Sequence, residues 1–386
     1  MVLHFVIDEK VTDQIIENFS KADENSRFLV FVKNREEDYK YISHSHDKLI
    51  RFVEIDDEIN TLLNKLKPKA ILTHAFHLEY AKAIIKIKTK LNIAWYTWGF
   101  DVYGLPRIKP YTYAVQTNNF LLKNIRGLFL GRLILENRFT RKIYFILKKG
   151  EEDRYSIIFE ALKKVRFFVT YLEEDYKYFS KYYSNNFQFV NSSFSTIDQY
   201  LAGNKLSVLF DDAQNILIGN SNSIESNHLD VFSILKTQDI LKNTKVFTPL
   251  SYGDDEVYKN EVIHNGKQIL GPAFVPLLEF MDRNDYISML SSCSTGIFYH
   301  YRQQAMGNII AMLYLGARIY LSSKNPAFNF FVDNGIKVFD FDKDFKQFKN
   351  TKLDLKTAYN NKKQLDLIFN ENKVLEDIKN LIKIIS

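Results

Sequence analysis

Phe298-Tyr-His-Tyr-Arg302-Gln303-Gln304-Ala-Met-Gly307-Asn308 decides how this chain is read. Ahead of it, Ser294 to Tyr299 has the apolar character of a buried strand. Behind it, Ile309, Met312, Leu313 and Leu315 fall at the spacing of a buried helix. A strand that empties through Arg302, two amides and Gly307-Asn308 into a helix suits an anion. The first N–H groups of the helix lack internal partners, the glycine admits close approach, and Arg302 adds a charged fork. A diphosphate is the natural guest. The plainer account of the same residues is a polar loop closed by a helix cap.

A second loop of this kind lies upstream. Gln214-Asn-Ile-Leu-Ile-Gly219-Asn220-Ser221 is a short apolar strand ending in Gly-Asn-Ser, with a helix following at Ser226-Asn227-His228-Leu229. Ser226 or Asn227 suits the N-cap, and Leu229, Val231, Phe232 and Leu235 supply a packed stripe. With one glycine this is not the dinucleotide fingerprint Gly-x-Gly-x-x-Gly, and no Gly-x-x-x-x-Gly-Lys-[Ser/Thr] loop occurs in the chain. Two anion-ready loops at strand ends suit one open α/β sheet with a ligand along its edge.

Ile216-Leu-Ile-Gly219-Asn220-Ser221…Asn227-His228-Leu229, Pro249-Leu-Ser-Tyr252-Gly253, Glu279-Phe-Met and Arg302-Gln303-Gln304-x-x-Gly307-Asn308 follow one another in that order, with Trp98-Gly99-x-Asp101-x-Tyr103 upstream. The set resembles the bacterial TDP-4-acetamido-4,6-dideoxygalactose (TDP-Fuc4NAc):lipid II transferases, glycosyltransferase family 56. That family completes the trisaccharide repeat of enterobacterial common antigen on an undecaprenyl diphosphate carrier. The similarity runs from about residue 70 to 340; the first 65 residues and about 107–160 match only in broad pattern. The resemblance implies the GT-B architecture: two Rossmann-like domains facing a central cleft, the C-terminal one holding the nucleotide-sugar and the N-terminal one presenting the acceptor. It implies a TDP-linked donor, a polyprenyl-diphosphate-linked acceptor, and a peripheral place on the cytoplasmic face of the bacterial inner membrane. A nucleotide-sugar epimerase of the same shape, or a transferase with another donor or acceptor, is the alternative.

The chain of 386 residues is long enough for two domains. Apolar strands are expected at Val2–Ile7, Phe28–Val32, Ala70–Thr73, Ile93–Thr97, Phe167–Thr170 and Phe187–Val190. A second set falls at Ile216–Ile218, Lys245–Thr248, Gln268–Leu270, Thr295–Tyr299, Arg318–Leu321 and Lys337–Phe339. Helices at Thr12–Phe19 and Leu78–Lys88 fall between strands, and such alternation implies parallel sheets. Ala202-Gly-Asn-Lys205 breaks the pattern, so the domains are expected at 1–203 and 204–386. The lysine-rich helix Glu371–Ile385 is amphipathic and suited to packing back on the first domain. The single cysteine, Cys293, excludes an internal disulfide framework and reads as a buried thiol. The N-terminus lacks the basic region of a secretory signal, and no run of 18 apolar residues is present, which points to a soluble or peripheral protein.

Charge is uneven along the chain. Between Arg107 and Gly150 ten Lys and Arg residues face one acid, Glu136. Arg126, Arg132, Arg138 and Arg141 lie among Leu, Ile, Phe and Tyr, a combination that an anionic membrane surface attracts and admits. The ordinary alternative is a solvated helix pair with snorkelling side chains. No nucleic-acid module accompanies the patch.

Sugar transfer breaks the C1–O bond to a diphosphate, so developing charge needs stabilising and the acceptor hydroxyl must lose a proton. The first task suits Arg302 and the N–H groups around Gly219, Asn220, Ser221, Gly307 and Asn308. Gln303, Gln304 and the two asparagines suit sugar hydroxyls or an N-acetyl group. Asn227 belongs to the donor set through the motif. Tyr252 is read as stacking on the base or touching the diphosphate, with a packed strand-end tyrosine as the other account. Glu279 suits the ribose hydroxyl. For the base the order is Asp101, held on a tight turn after a strand, then His74, then Asp8. No cofactor and no metal are expected. Asp340-Phe-Asp342 imitates a metal-binding Asp-x-Asp but reads as a strand end with solvated acids, and the histidines lack ligand spacing.

Overall fold

Alternate residues of the first strand, β1 (Val2–Val6), serve two different cores. Leu3 and Phe5 pack with Ile71, Tyr80, Ile84 and Trp95 on one face. Val2 and Val6 pack with Ile16, Phe19, Ile378 and Leu381 on the other. A strand covered on both faces is apolar throughout, which is how parallel strands read in a sequence. The remaining strands of this sheet are β2 (Arg27–Phe31), β3 (Ile50–Val53), β4 (Ala70–His74), β5 (Asn92–Tyr96), β6 (Phe167–Val169) and β7 (Gln188–Val190). They run parallel in the order β3-β2-β1-β4-β5-β6-β7.

The second sheet holds β8 (Asn215–Ile218), β9 (Val246–Pro249), β10 (Phe274–Leu277), β11 (Cys293–Phe298), β12 (Arg318–Leu321) and β13 (Phe339–Asp340). It too is parallel, ordered β10-β9-β8-β11-β12-β13. In both sheets the first strand lies beside the fourth, the doubly wound order. Two Rossmann-like α/β units are therefore what the chain forms.

The computed structural model describes residues 1–34, 39–54, 58–124, 128–148, 152–203, 213–236, 244–253, 255–345 and 353–386. Unit 1 is Met1–Ile108, Leu130–Ser195 and Glu371–Ser386; unit 2 is Lys109–Phe129 and Thr196–Asn370. The division differs from a single boundary near residue 203 in two places. Helix Val115–Asn124 belongs to unit 2 because Asp230 grips its first turn. The Asp230 carboxylate accepts from Gln116 N–H (2.7 Å), Thr117 N–H (2.9 Å) and the Thr117 hydroxyl (2.7 Å), while Phe120 and Leu121 enter that unit's core. Helix Glu371–Ile385 belongs to unit 1, where Val374, Ile378, Leu381 and Ile385 are buried.

Three readings of the sequence are corrected. Gln268–Leu270 is the last turn of helix Glu256–Leu270; the strand is β10, beyond the Gly271-Pro272 break. Pro276 is tolerated there because β10 is an edge strand. β3 was not anticipated, since Ile50-Arg-Phe-Val53 is short and carries a charge. Asp340 is not solvated: it is 4% exposed and caps the turn beginning at Phe341, whereas Asp342 is exposed, as read, and accepts from the Tyr299 hydroxyl at 2.6 Å. Cys293 is fully buried, and burial pushes its thiol up to about 12. Among the described residues no helix is long and apolar enough to cross a membrane.

Candidate functional site

Chain connections leave β8 and β11 in opposite directions, and such a switch point opens a crevice at the carboxyl ends of the strands. Gly219 closes β8 with φ +66°, a left-handed conformation that L side chains rarely adopt. A Cβ there would lie 2.6 Å from His228 Nε2, so glycine is required for space as well as for conformation. From the other side of the switch, Gln304 Nε2 donates to Asn220 Oδ1 at 2.8 Å and lies 3.4 Å and 3.3 Å from the Ser221 and Ser226 hydroxyls. The two loops singled out in the sequence are one structure.

Tyr299 and Tyr301 turn into the apolar core beside Phe341, with their rings 5.2 Å apart. Beyond the end of β11 the His300 ring lies 6.1 Å from that of Phe298, and Arg302 Nη1 donates to Gln303 O at 3.2 Å. Burial, with the Arg302 charge and His228 adding to it, holds His300 well below its ordinary pKa. Burial alone takes His228 down to about 3. Glu225 is opposed by burial, yet Arg302, the Ser223 hydroxyl and Lys109 hold its carboxyl below the usual range. The lining is thus one cation, one balancing carboxylate, and two neutral imidazoles.

Several buried polar atoms here have no hydrogen-bond partner among the described residues: Arg302 Nε, both ring nitrogens of His300, His228 Nε2, and the side-chain oxygens of Gln303 and Gln304. Each such atom costs about 1–3 kcal/mol of desolvation. A cluster of them beside a glycine-floored loop is suited to a polar, negatively charged ligand.

Other expected donor residues take different places. Asn227 is buried and its amide is fully used: Nδ2 donates to Tyr299 O (2.9 Å), Thr112 O (3.2 Å) and Glu225 O (3.2 Å), while Oδ1 accepts from Ala114 N–H (2.9 Å). It bolts three segments together, and Ser226 does not cap the helix His228–Leu235 either. Asn308 Nδ2 donates to the Tyr286 hydroxyl at 2.9 Å. Gly307 sits in the first turn of helix Met306–Tyr314, where a Cβ would meet nothing nearer than 3.9 Å. Ser221 is buried beneath the loop. Tyr252 is 65% exposed, and its carbonyl accepts from Asn222 N–H at 2.6 Å. Glu279 is exposed beyond the edge strand β10.

Unit 1 places the three expected bases in structural roles. Asp101 is 9% exposed; Oδ2 accepts from the Trp95 indole at 2.6 Å and Oδ1 from Trp98 N–H and Val102 N–H at 3.0 and 3.1 Å. Burial raises its pKa to about 6 against the pull of those donors. His74, the last residue of β4, shares the face of β1 occupied by His4 and Phe19. Its Nε2 lies 3.0 Å from His4 Nδ1, its ring is 5.1 Å from Phe19, and burial takes its pKa to about 3. Asp8 accepts from the N–H groups of Lys40 (2.5 Å), Tyr41 (2.9 Å) and Ile42 (3.2 Å).

The basic stretch is divided as well. Arg126 lies outside the described residues. Arg132 and Arg138 are on helices Leu128–Glu136 and Arg138–Leu147. Arg141 is 3% exposed, which corrects its expected contact with lipid. Its Nε bonds Asp153 at 3.1 and 3.2 Å, and Nη1 donates to Leu135 O at 2.8 Å. Leu130, Leu133, Phe139, Ile143, Ile146 and Leu147 are exposed on the same two helices. The sequence reading missed His228, His300, Glu225 and Ser226 as site residues. His74 was weighed as a base and the other histidines only as metal ligands.

The family model described as 4-alpha-L-fucosyltransferase glycosyl transferase group 56 matches residues 146–375, more than half of the chain. The chain belongs to this family and is a glycosyltransferase. Its fold is similar to that of Anabaena HepE in complex with UDP and glucose, with a TM-score of 0.62 at 9% identity over 99% of both chains. It is also similar to sucrose-phosphate synthase from Thermosynechococcus elongatus, with a TM-score of 0.64 at 9% identity over 99% of this chain and 98% of that one. The lipopolysaccharide outer core galactosyltransferase WaaB in its apo form gives 0.59 at 9% identity over 99% of both. The shared fold is GT-B.

Proposed function

We propose, from this family membership, that the chain moves a 4-acetamido-4,6-dideoxygalactose-like sugar from a TDP-sugar to a polyprenyl-diphosphate-linked oligosaccharide in bacterial surface polysaccharide synthesis. One observation carries the donor half: the partnerless buried polar atoms of Arg302, His300, His228, Gln303 and Gln304 gathered at the β8/β11 switch point. Arg302 neutralises the leaving diphosphate as the C1–O bond breaks, and the amides of Gln303 and Gln304 take sugar hydroxyls or the N-acetyl group. His300 and His228, neutral through the physiological range, donate and accept without adding charge. UDP in the HepE complexes supports a nucleotide in this fold.

The lipid half rests on helices Leu128–Glu136 and Arg138–Leu147. Exposed Leu130, Leu133, Phe139, Ile146 and Leu147 alternate with Arg132, Arg138 and Lys142, as on a helix lying in a bilayer surface. That reading puts the protein at the cytoplasmic face of the inner membrane. The test is thermal melting with TDP, UDP and their sugars. At about 100 times Kd a bound nucleotide adds about 2.7 kcal/mol, and TDP is expected to stabilise at lower concentration than UDP. No shift with either nucleotide would defeat the proposal.

A further inference from the structure

A cavity of about 190 Å³ lies wholly within unit 1, where helix Arg138–Leu147 meets helix Arg154–Leu162. Its volume is about that of six waters. Arg141 forms a buried part of the wall and is already committed. Asp153 holds its Nε, Leu135 O takes Nη1, and its guanidinium lies 5.5 Å from the Phe159 ring. Asp153 in turn caps helix Arg154–Leu162 by accepting from Ser156 N–H at 3.1 Å. The frame of the cavity is fixed without a ligand.

The other cations of the lining are held loosely. Arg138 is exposed and has no hydrogen bond or ion pair among the described residues. Arg107 Nη1 reaches Tyr182 O at 3.4 Å, and its guanidinium lies 5.8 Å from the Tyr183 ring. Lys163 pairs with Glu160 at 2.7 Å, with both side chains exposed, and such a pair is weak. The Tyr183 hydroxyl accepts from Arg107 N–H at 3.1 Å; burial pushes it up to about 12, so it keeps a proton to donate. Four cations therefore face two acids, Glu136 and Glu160. A small anion rich in acceptors fits this lining, and a phosphate is the group that guanidinium forks and a phenol donor bind well. Glu136, the remaining carboxylate, suits a hydroxyl carried beside the phosphate.

What the phosphate is attached to follows from the same helix. Arg138 and Arg141 stand at i and i+3 on the cavity side. Phe139, Ile143 and Ile146, at i, i+4 and i+7, form an exposed stripe on the adjoining face. A ligand with an apolar tail uses both features, whereas a soluble phosphate uses one. Resting on the membrane half of the proposed function, we infer that this cavity binds the phosphate of a lipid headgroup through Arg107, Arg138 and the Tyr183 hydroxyl. The acyl chains lie against Phe139, Ile143 and Ile146. Surface charge alone attracts any anionic lipid; directed donors in a cavity select phosphate among anions.

The experiment floats the full chain with vesicles of a neutral, phosphate-free galactolipid. One set is made anionic with phosphatidylglycerol and the other with oleic acid, adjusted to equal zeta potential. Wild type is expected to bind the phosphatidylglycerol set about tenfold more tightly, the scale of a charge-assisted hydrogen bond. Arg138→Gln and Arg107→Gln are expected to remove that preference, with melting temperature and TDP binding unchanged. Lys142→Gln, on the same helix but outside the cavity, should weaken both sets alike and keep the preference. Equal affinity of wild type for the two sets, or a preference that survives both arginine substitutions, overturns the inference and leaves the membrane reading standing. Release from phosphatidylglycerol vesicles by millimolar inorganic phosphate at constant ionic strength would assign the cavity to a soluble phosphate and overturn the lipid source. A wild type that binds neither set overturns the membrane reading, and the inference with it.

Discussion

Gln304 Nε2 donates to Asn220 Oδ1 across 2.8 Å, joining the loop after β11 to the loop after β8. The bond spans the switch point, so the floor and one wall of the site are held as one piece. Gln304→Ala is expected to leave the Asn220 amide unmated and loosen both loops. TDP affinity should fall by about tenfold, the scale of one hydrogen bond lost at about 1.4 kcal/mol. Unaltered calorimetric binding would remove the bond from the binding machinery.

Arg302 contributes the site's cation. Arg302→Ala should reduce kcat/KM by about 2–4 kcal/mol in transition-state terms. It should also release Glu225 from the charge that holds its carboxyl low. Arg302→Lys should restore only part, because a point charge replaces a planar fork. Equal rates for all three proteins would place the diphosphate elsewhere.

Gly219→Ala meets two obstacles, the positive φ and the 2.6 Å approach of His228 Nε2. The conformational part alone is worth about 1–3 kcal/mol. Melting should drop, and TDP binding should weaken because the loop must shift to admit the methyl group. A crystal structure of the variant with an unmoved loop would disprove the steric account.

Arg141 and Phe139 are neighbours on one helix with opposite roles. Arg141 is buried against Asp153, so Arg141→Ala should destabilise unit 1 by about 3–5 kcal/mol, as unpaired buried charges do. Replacing Phe139, Ile146 and Leu147, all more than 60% exposed, with serine should preserve folding and release the protein from anionic vesicles. If those three serines leave flotation with vesicles unchanged, the helix face is not the membrane contact.

Acid should weaken the fold. Burial takes His74 and His228 from 6.5 to about 3 and holds His4 and His300 well below 6.5. These rings are neutral when folded but gain protons near pH 6.5 once unfolded, so stability present above that pH is lost as pH falls. Each contributes about 1.4 kcal/mol per pH unit. Asp101 acts in the opposite sense: raised from 3.8 to about 6, it favours the folded state at low pH and loses that advantage as pH rises. Four histidines against one carboxyl set the sign. The melting temperature should decline from pH 7 to pH 5, and a flat or rising trend would contradict the burial argument.

Strand positions were legible because sheets covered on both faces demand apolar runs, and β1, β8 and β11 have no other reading. Gly219 and Arg302 were legible for the same reason, standing where an apolar strand stops. Roles that depend on parity or on distant partners were not. His74 follows an apolar strand, but its position puts it beside His4 and Phe19 rather than at the rim. Asp101 follows a tight turn, but the indole it serves belongs to Trp95 at 2.6 Å. Arg141 looks like any basic residue until Asp153 folds against it. The division of the 107–150 stretch depends on Asp230, more than a hundred positions later.

Neither unit is a continuous length of chain. The polypeptide leaves unit 1 after Ile108, returns at Leu130, leaves again after Ser195, and comes back for its last helix at Glu371. During synthesis the sheet begun by Val2 must wait, with Phe19 and Val6 uncovered, until Val374, Ile378 and Leu381 have emerged to cover them. The first core started is the last one finished. A ribosome that stalls late therefore leaves an intact unit 2 sequence attached to an unsealed unit 1, a target for chaperones and proteases. The two halves cannot be separated by one cut and traded as modules, because each cut strands a piece of one unit in the other.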